Sequence, residues 1–182
     1  MALFLIRHTP VDAAPGAIYG QREVALAADW PDRFRALAEA LPDGVGRICT
    51  SPLSRCRKLA YWLQAARWPQ ATLQVISDLV EMSFGRWEGQ SWSTIPRAEL
   101  DVWASDWVNH PPPGGESFLQ VRERWRRVLA GLDDAAGHVL LVTHAGMIRV
   151  ALTDYLGLPP GAAFALKVGF GEVYRLRYPA NF

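Results

Sequence analysis

Five residues of this 182-residue chain carry side chains suited to one kind of chemistry: Arg7 and His8 in LIRHT, Arg55 in SPLSRCRKLA, Glu81 in EMSFGRWEG and His144 in VTHAG. An arginine fork binds phosphate oxygens bidentately and stays charged. A neutral imidazole is a nucleophile near neutral pH and can carry a phosphoryl group. A second histidine can stabilise charge on the group in transit. A carboxylic acid can protonate the departing oxygen. The set points to phosphoryl transfer. The four histidines contain no His-x-His or His-x-x-x-His pair, which counts against a metal-dependent hydrolase.

Other residues invite the same question and have plainer readings. Glu88 in GRWEG is the rival acid, but its turn suits a brace for the loop. Arg57, Arg86 and Arg149 read as solvated or structural, and His110 and His138 as surface residues. Glu116 and Ser117 are explained by a helix start, and Cys56 falls on an apolar helix face. Most of the eight tryptophans have helical spacing and read as core. Trp87 and Trp92 adjoin the acid loop and, with Tyr19, either pack or stack on a flat leaving group.

Each chemical residue follows an element that can position it. Residues 3–6 form a short apolar strand ending at Arg7 and His8. Pro and Gly punctuate a loop over 10–28, and a helix begins at Trp30 with Asp29 as cap and Pro31 in its first turn. Residues 46–50 are a second strand, after which a helix starting near Ser51 carries Arg55. Residues 72–77 are a third strand leading to Glu81, and 96–109 a helix carrying Leu100, Trp103 and Trp107. Ser117 and Gln120 form a capping box for a helix with an apolar stripe through Phe118, Val121, Trp125 and Val128. Residues 138–143 are a buried strand delivering His144, with a helix from about Gly146 to Gly157. The tail FALKVGFGEVYRLRY reads as two strands around a Gly-rich turn. Helices starting near Ser51 and Ala145 would present N-terminal amides to an anion.

The alternation of strand and helix predicts a three-layer α/β/α fold, with a mostly parallel sheet and an antiparallel C-terminal strand. In such a sheet the ligand crevice lies beyond the carboxyl ends of the strands, where these residues converge. The length predicts one domain spanning 1–182. A net charge of +1 gives no basic field for nucleic acid or an anionic membrane. The N-terminal apolar run stops at Arg7, too short for a signal core or a span. Two cysteines with no ligand spacing fit a reducing, cytoplasmic setting.

At these motifs the chain resembles the histidine phosphatase superfamily, with its phosphoglycerate mutase-like fold. LIRHT is similar to the Arg-His-Gly signature, SPLSRCRKLA to the second-arginine helix, EMSFGRWEG to the acid loop and VTHAG to the second histidine; PPGGES also recurs in the family. The resemblance implies that His8 is phosphorylated, that Arg7, Arg55 and His144 hold the phosphoryl group, that Glu81 donates the proton, and that no metal or other cofactor takes part. Thr9 replaces the signature glycine, whose carbonyl orients the nucleophilic imidazole in that family; threonine keeps the carbonyl and narrows the pocket. Arg-His-Thr followed by Tyr-Gly-Gln at 19–21 is most similar to the α-ribazole phosphatase branch. That implies a small-molecule phosphate ester as partner, with Ala145, Tyr19 and Trp87 beside the substrate. A broad sugar-phosphate or nucleotide phosphatase, a phosphoglycerate mutase, and an inactive phosphate-binding protein are the alternatives. All the catalytic positions are retained, and the chain lacks the long insertions that the resemblance implies for mutases.

Overall fold

A computed structural model describes residues 2–132 and 137–177. Within them one sheet contains β1 (Ala2–Arg7), β2 (Val45–Thr50), β3 (Thr72–Val75), β4 (His138–Thr143) and β5 (Val173–Arg177). The spatial order is β3-β2-β4-β1-β5. Every pairing is parallel except that of β5, which runs antiparallel to β1. Helices α1 (Trp30–Ala40) and α2 (Ser54–Arg67) pack on one face, and α4 (Phe118–Ala130) and α5 (Ala145–Tyr155) on the other. A shorter helix, α3 (Arg97–Ser105), stands beside a satellite cluster built on Ile18, Trp87 and Ile95.

Period-two alternation explains the layering. In β1, Leu3 and Leu5 point to the α4/α5 side, while Phe4 and Ile6 point to the α1/α2 side. In β4, Leu141 and Leu140 divide in the same way. Each such side chain, once buried, contributes roughly 1.5–3 kcal/mol, so a strand apolar on both faces belongs in the middle of the sheet. Helix α4 begins at the expected capping box: Gln120 N–H donates to Ser117 Oγ (3.3 Å), and Ser117 N–H donates to Gln120 Oε1 (2.8 Å). None of the described helices is long and apolar enough to cross a membrane.

Several boundaries differ from those predicted, four of them with a visible cause or consequence. Helix α2 begins at Ser54, not near Ser51, because Ser51 N–H still donates to the Val142 carbonyl (3.0 Å) and continues the sheet. The third strand stops at Val75, and a 3-10 turn occupies Ser77–Leu79. Helix α3 ends at Ser105, where the Asp106 carboxylate accepts from Asn109 (2.7 Å) and pairs with His110 (2.9 Å), competing with the helix. The tail holds one strand, not two. Its first half is a 3-10 helix, Pro160–Ala165, and a loop whose Val168 carbonyl and Gly171 N–H bond to Arg7 instead of a sheet. Tyr178 lies outside the described residues.

Candidate active site

Three neighbouring strands end together. Register sets Arg7 of β1 beside Thr143 of β4, and Thr50 of β2 beside Val142 of β4. His8, His144 and Ser51 therefore leave the sheet side by side. His8 N–H extends the ladder by donating to the Thr143 carbonyl at 3.1 Å. The His8 and His144 rings meet edge to face with centroids 5.2 Å apart.

His8 is buried, and its Nδ1 lies 2.8 Å from the Thr9 carbonyl oxygen. A carbonyl only accepts, so the imidazole proton is assigned to Nδ1 and Nε2 is left with a free lone pair. Burial pushes the His8 pKa down to about 3; the Arg55 and Arg7 charges push the same way, against the Thr9 bond. His144 is also held well below its usual value, chiefly by burial and then by His8, Arg55 and Arg7. Its Nε2 meets Ser51 Oγ at 2.7 Å. Ser51 Oγ also accepts from Leu53 N–H (3.3 Å), which ties the ring to the turn before α2.

The two arginines arrive with part of their donors committed. Arg7 gives Nη1 to the Val168 carbonyl (2.6 Å), and its buried Nε has no partner among the described residues. Arg55, on the first turn of α2, gives Nη2 to the Gly20 carbonyl (2.7 Å) and Nη1 to the Arg22 carbonyl (2.8 Å), while its buried Nε likewise has none among them. A buried donor without a partner is costly, and two of them on cations beside His8 fit an anion. The predicted help from helix termini is not available at Ser54 or Gly146. The Ser54 N–H donates to the Glu23 carboxylate at 3.1 Å, and the Gly146 N–H to Glu81 Oε1 at 2.9 Å.

Glu81 lies past β3 with a desolvated carboxyl group, and burial raises its pKa against the opposing pull of Met82 N–H, Arg7, Arg55 and Gly146 N–H. The raised value favours the protonated form that a proton donor needs. Glu88 does not share this place: its Oε1 accepts from Gln21 N–H (3.1 Å) and Phe84 N–H (3.0 Å), as expected of a brace. Glu116 does more than begin a helix, because it pairs with Arg124 from within α4. Arg124 donates to the carbonyls of Asp78 (2.6 Å) and Val80 (2.9 Å), and Glu116 Oε2 accepts from Arg124 (2.9 Å) and Ser83 N–H (2.8 Å). Gln21 donates to the Glu81 carbonyl at 2.9 Å. The acid loop is thus fixed from α4 and from the segment that Arg55 holds. A buried arginine within an apolar helical stripe was the available sign of this network.

A cavity of about 400 Å³ opens beside Arg7 and Glu81, while the side chains of His8, Arg55 and His144 do not line it. Arg7, Tyr19, Glu81 and Ala145 line it, with an aromatic wall that includes Trp92, Trp107 and Phe164. One tryptophan expectation is corrected here. Trp87 is buried in the satellite cluster, donates its indole N–H to Glu99 (3.1 Å), and does not line the cavity; Trp92 does. Trp107 packs against the core, as expected, and also lines the cavity. Arg149, read as solvated or structural, lines it too: Nε donates to the Leu166 carbonyl (3.1 Å), and its terminal nitrogens make no hydrogen bond among the described residues. His138 is not a plain surface residue, since it packs edge-on against Phe4 at 5.4 Å. His110 and Arg57 are exposed. Cys49 and Cys56 are buried, and Cys56 Sγ lies 3.4 Å from His144 Nε2. Among the described residues no group of three or more His, Cys, Asp or Glu side chains could hold a metal ion.

A family model described as the Histidine phosphatase superfamily (branch 1) matches residues 3–181. A protein of Escherichia coli (strain K12) named adenosylcobalamin/alpha-ribazole phosphatase is 28% identical over 179 residues, covering 94% of this chain and 87% of that one. The crystal structure of the alpha-ribazole phosphatase from Shigella flexneri superposes with a TM-score of 0.84 at 25% identity, covering 96% of this chain and 89% of that one. The structure of a mycobacterial glucosyl-3-phosphoglycerate phosphatase superposes with a TM-score of 0.81 at 27% identity, covering 96% and 88%.

Proposed function

Since the chain belongs to the histidine phosphatase superfamily, we propose that it hydrolyses phosphomonoesters through a phosphohistidine on His8, with α-ribazole 5′-phosphate as substrate. The observation that carries the mechanism is the His8 Nδ1 contact with the Thr9 carbonyl, 2.8 Å, which leaves Nε2 unprotonated. The ester dianion meets the unpaired Nε donors of Arg7 and Arg55. His8 Nε2 attacks phosphorus as the ester P–O bond breaks, and protonated Glu81 gives its proton to the departing alkoxide, releasing the alcohol. Water then attacks the phosphohistidine. The Glu81 carboxylate takes its proton, the P–N bond breaks, and phosphate leaves with both residues restored. His144 and the two arginines stabilise the equatorial oxygens in both steps.

The aromatic wall supports the substrate. Tyr19, Trp92, Trp107 and Phe164 suit a flat leaving group such as a benzimidazole riboside, and the Escherichia coli relative is named for α-ribazole. One observation favours a second reading. The unbonded end of Arg149 in the same cavity would suit a sugar acid whose carboxylate it could fork, in keeping with the substrate in the mycobacterial relative's name.

Brief reaction with labelled substrate, followed by acid and by alkaline treatment, tests the mechanism. The label is expected on protein, lost in acid and kept in alkali, and absent from His8→Ala. An unlabelled wild type that still turns over, or a His8→Ala variant with wild-type activity, overturns it. A screen of α-ribazole 5′-phosphate, a carboxylated sugar phosphate and 3-phosphoglycerate separates the two substrate readings.

A further inference from the structure

The loop from Val168 to Glu172 grips Arg7 on several sides. The Val168 carbonyl accepts from Arg7 Nη1 at 2.6 Å. The Phe170 ring lies against the guanidinium, with Cζ 3.6 Å from the ring centroid. The same ring stands 5.5 Å from the His8 imidazole. Behind it, Gly171 N–H donates to the carbonyls of Arg7 (3.1 Å) and His8 (3.3 Å). Gly171 has φ +70°, which glycine adopts without the cost a side chain would add.

A guanidinium has three donor edges and two faces. Here Val168 takes Nη1 and Phe170 takes a face. The edge made by Nε and Nη2 remains, with Nε buried and unpartnered among the described residues. These two N–H groups are parallel and match two oxygens of one phosphoryl group. Core packing does not account for Phe170: it is 40% exposed and belongs to none of the three apolar clusters. An exposed aromatic ring laid on a cation beside the nucleophile has another use.

We propose that Phe170 is a positioning residue of the phosphoryl site, whose ring holds the Arg7 guanidinium so that its Nε–Nη2 edge faces the phosphoryl oxygens. This rests on the assignment of Arg7 as a phosphoryl ligand. The ring acts through Arg7, and its contact with His8 keeps nucleophile and cation in one fixed relation.

Inorganic phosphate is the probe, because its binding needs no particular leaving group. Its Kd is measured by calorimetry and its Ki against p-nitrophenyl phosphate, for wild type, Phe170→Ala, Phe170→Leu and Phe170→Tyr, with melting temperatures alongside. Leucine keeps an apolar cover without a π face; tyrosine keeps the face. Both Ala and Leu variants are expected to weaken phosphate by roughly 3- to 30-fold, the span of a cation–π contact from exposed to desolvated. Tyrosine is expected to stay within about twofold of wild type, since it presents the same ring face. A Leu variant that binds phosphate like wild type overturns the proposal, as does a Tyr variant as weak as Ala. A wild type that binds no phosphate overturns the phosphoryl site itself, and this assignment with it.

Discussion

Gly146 N–H donates to Glu81 Oε1 at 2.9 Å, and a Cβ added to Gly146 would lie 2.4 Å from that same oxygen. The first turn of α5 and the acid loop are therefore in contact through a residue that tolerates no side chain while Glu81 keeps its place. Gly146→Ala must move the carboxyl group. The obstacle is the end of a side chain, so stability changes little, and alanine is the better helix former. The expected result is at least about tenfold slower hydrolysis of an alkyl phosphate, a fraction of a general acid's usual contribution. The melting temperature should be unchanged or higher. Wild-type rates on the alkyl ester would show that the position of Glu81 is not critical.

Glu81→Gln should separate substrates by their leaving groups. An alkoxide needs a proton to leave; a nitrophenolate does not. Loss of about 10²-fold or more is expected on the alkyl ester, with a much smaller loss on p-nitrophenyl phosphate. In wild type, kcat/KM on the alkyl ester should fall as pH rises through the raised pKa of Glu81, and the aryl ester should lack that limb. Equal slowing of both esters would remove Glu81 from the acid role.

His8 titrates near 3 in the folded protein, mainly because it is buried. In the unfolded chain a histidine titrates near 6.5. Between these values the unfolded state binds a proton that the native state refuses, so stability falls as pH drops below about 6.5. By pH 5 the loss attributable to His8 is about 2 kcal/mol, and His144, shifted in the same direction, adds to it. Chemical denaturation at pH 7 and pH 5 measures this. His8→Asn should lose about 2 kcal/mol less than wild type over that interval. Identical losses would mean that His8 is not the titrating group.

Substrate choice rests on the cavity wall. Stacking of a base on an aromatic ring is worth ~1–3 kcal/mol, so α-ribazole 5′-phosphate should exceed 3-phosphoglycerate in kcat/KM by at least about tenfold. Trp92→Ala should narrow that gap and Trp87→Ala should not, unless its loss collapses the cluster around Ile18 and Ile95, which a melting curve would reveal. A preference for 3-phosphoglycerate would remove the α-ribazole reading.

The parts of the site carried by strand ends were legible because a short apolar run stopping at a charged pair has one simple explanation. Arg7, His8 and His144 follow from it. Trp87 and Trp92 could not be sorted, since each lies in a single three-residue 3-10 turn, too short for a period to report which side faces inward. Phe170 was hidden for a similar reason. Gly-Phe-Gly suggests a hairpin turn, and only the three-dimensional path shows that the turn's hydrogen bonds go to Arg7 and His8. The start of α2 was misplaced because Ser51-Pro52 resembles a helix opening, while the sheet keeps Ser51 in its ladder.

The groups proposed to handle phosphorus stand on strand ends and helix first turns, whereas the wall of the neighbouring cavity comes largely from loops and turns that carry Tyr19, Trp92, Trp107 and Phe164. Heredity can act on these two sets separately. A library randomised at Trp92 and Phe164 should return hydrolases with altered tastes and intact chemistry, because neither donates to or accepts from His8, His144 or Glu81; Tyr19 is kept, since its ring centroid lies 5.1 Å from the Arg55 guanidinium carbon. The scaffold is thus suited to retargeting by drift in its loops while its reaction stays the same.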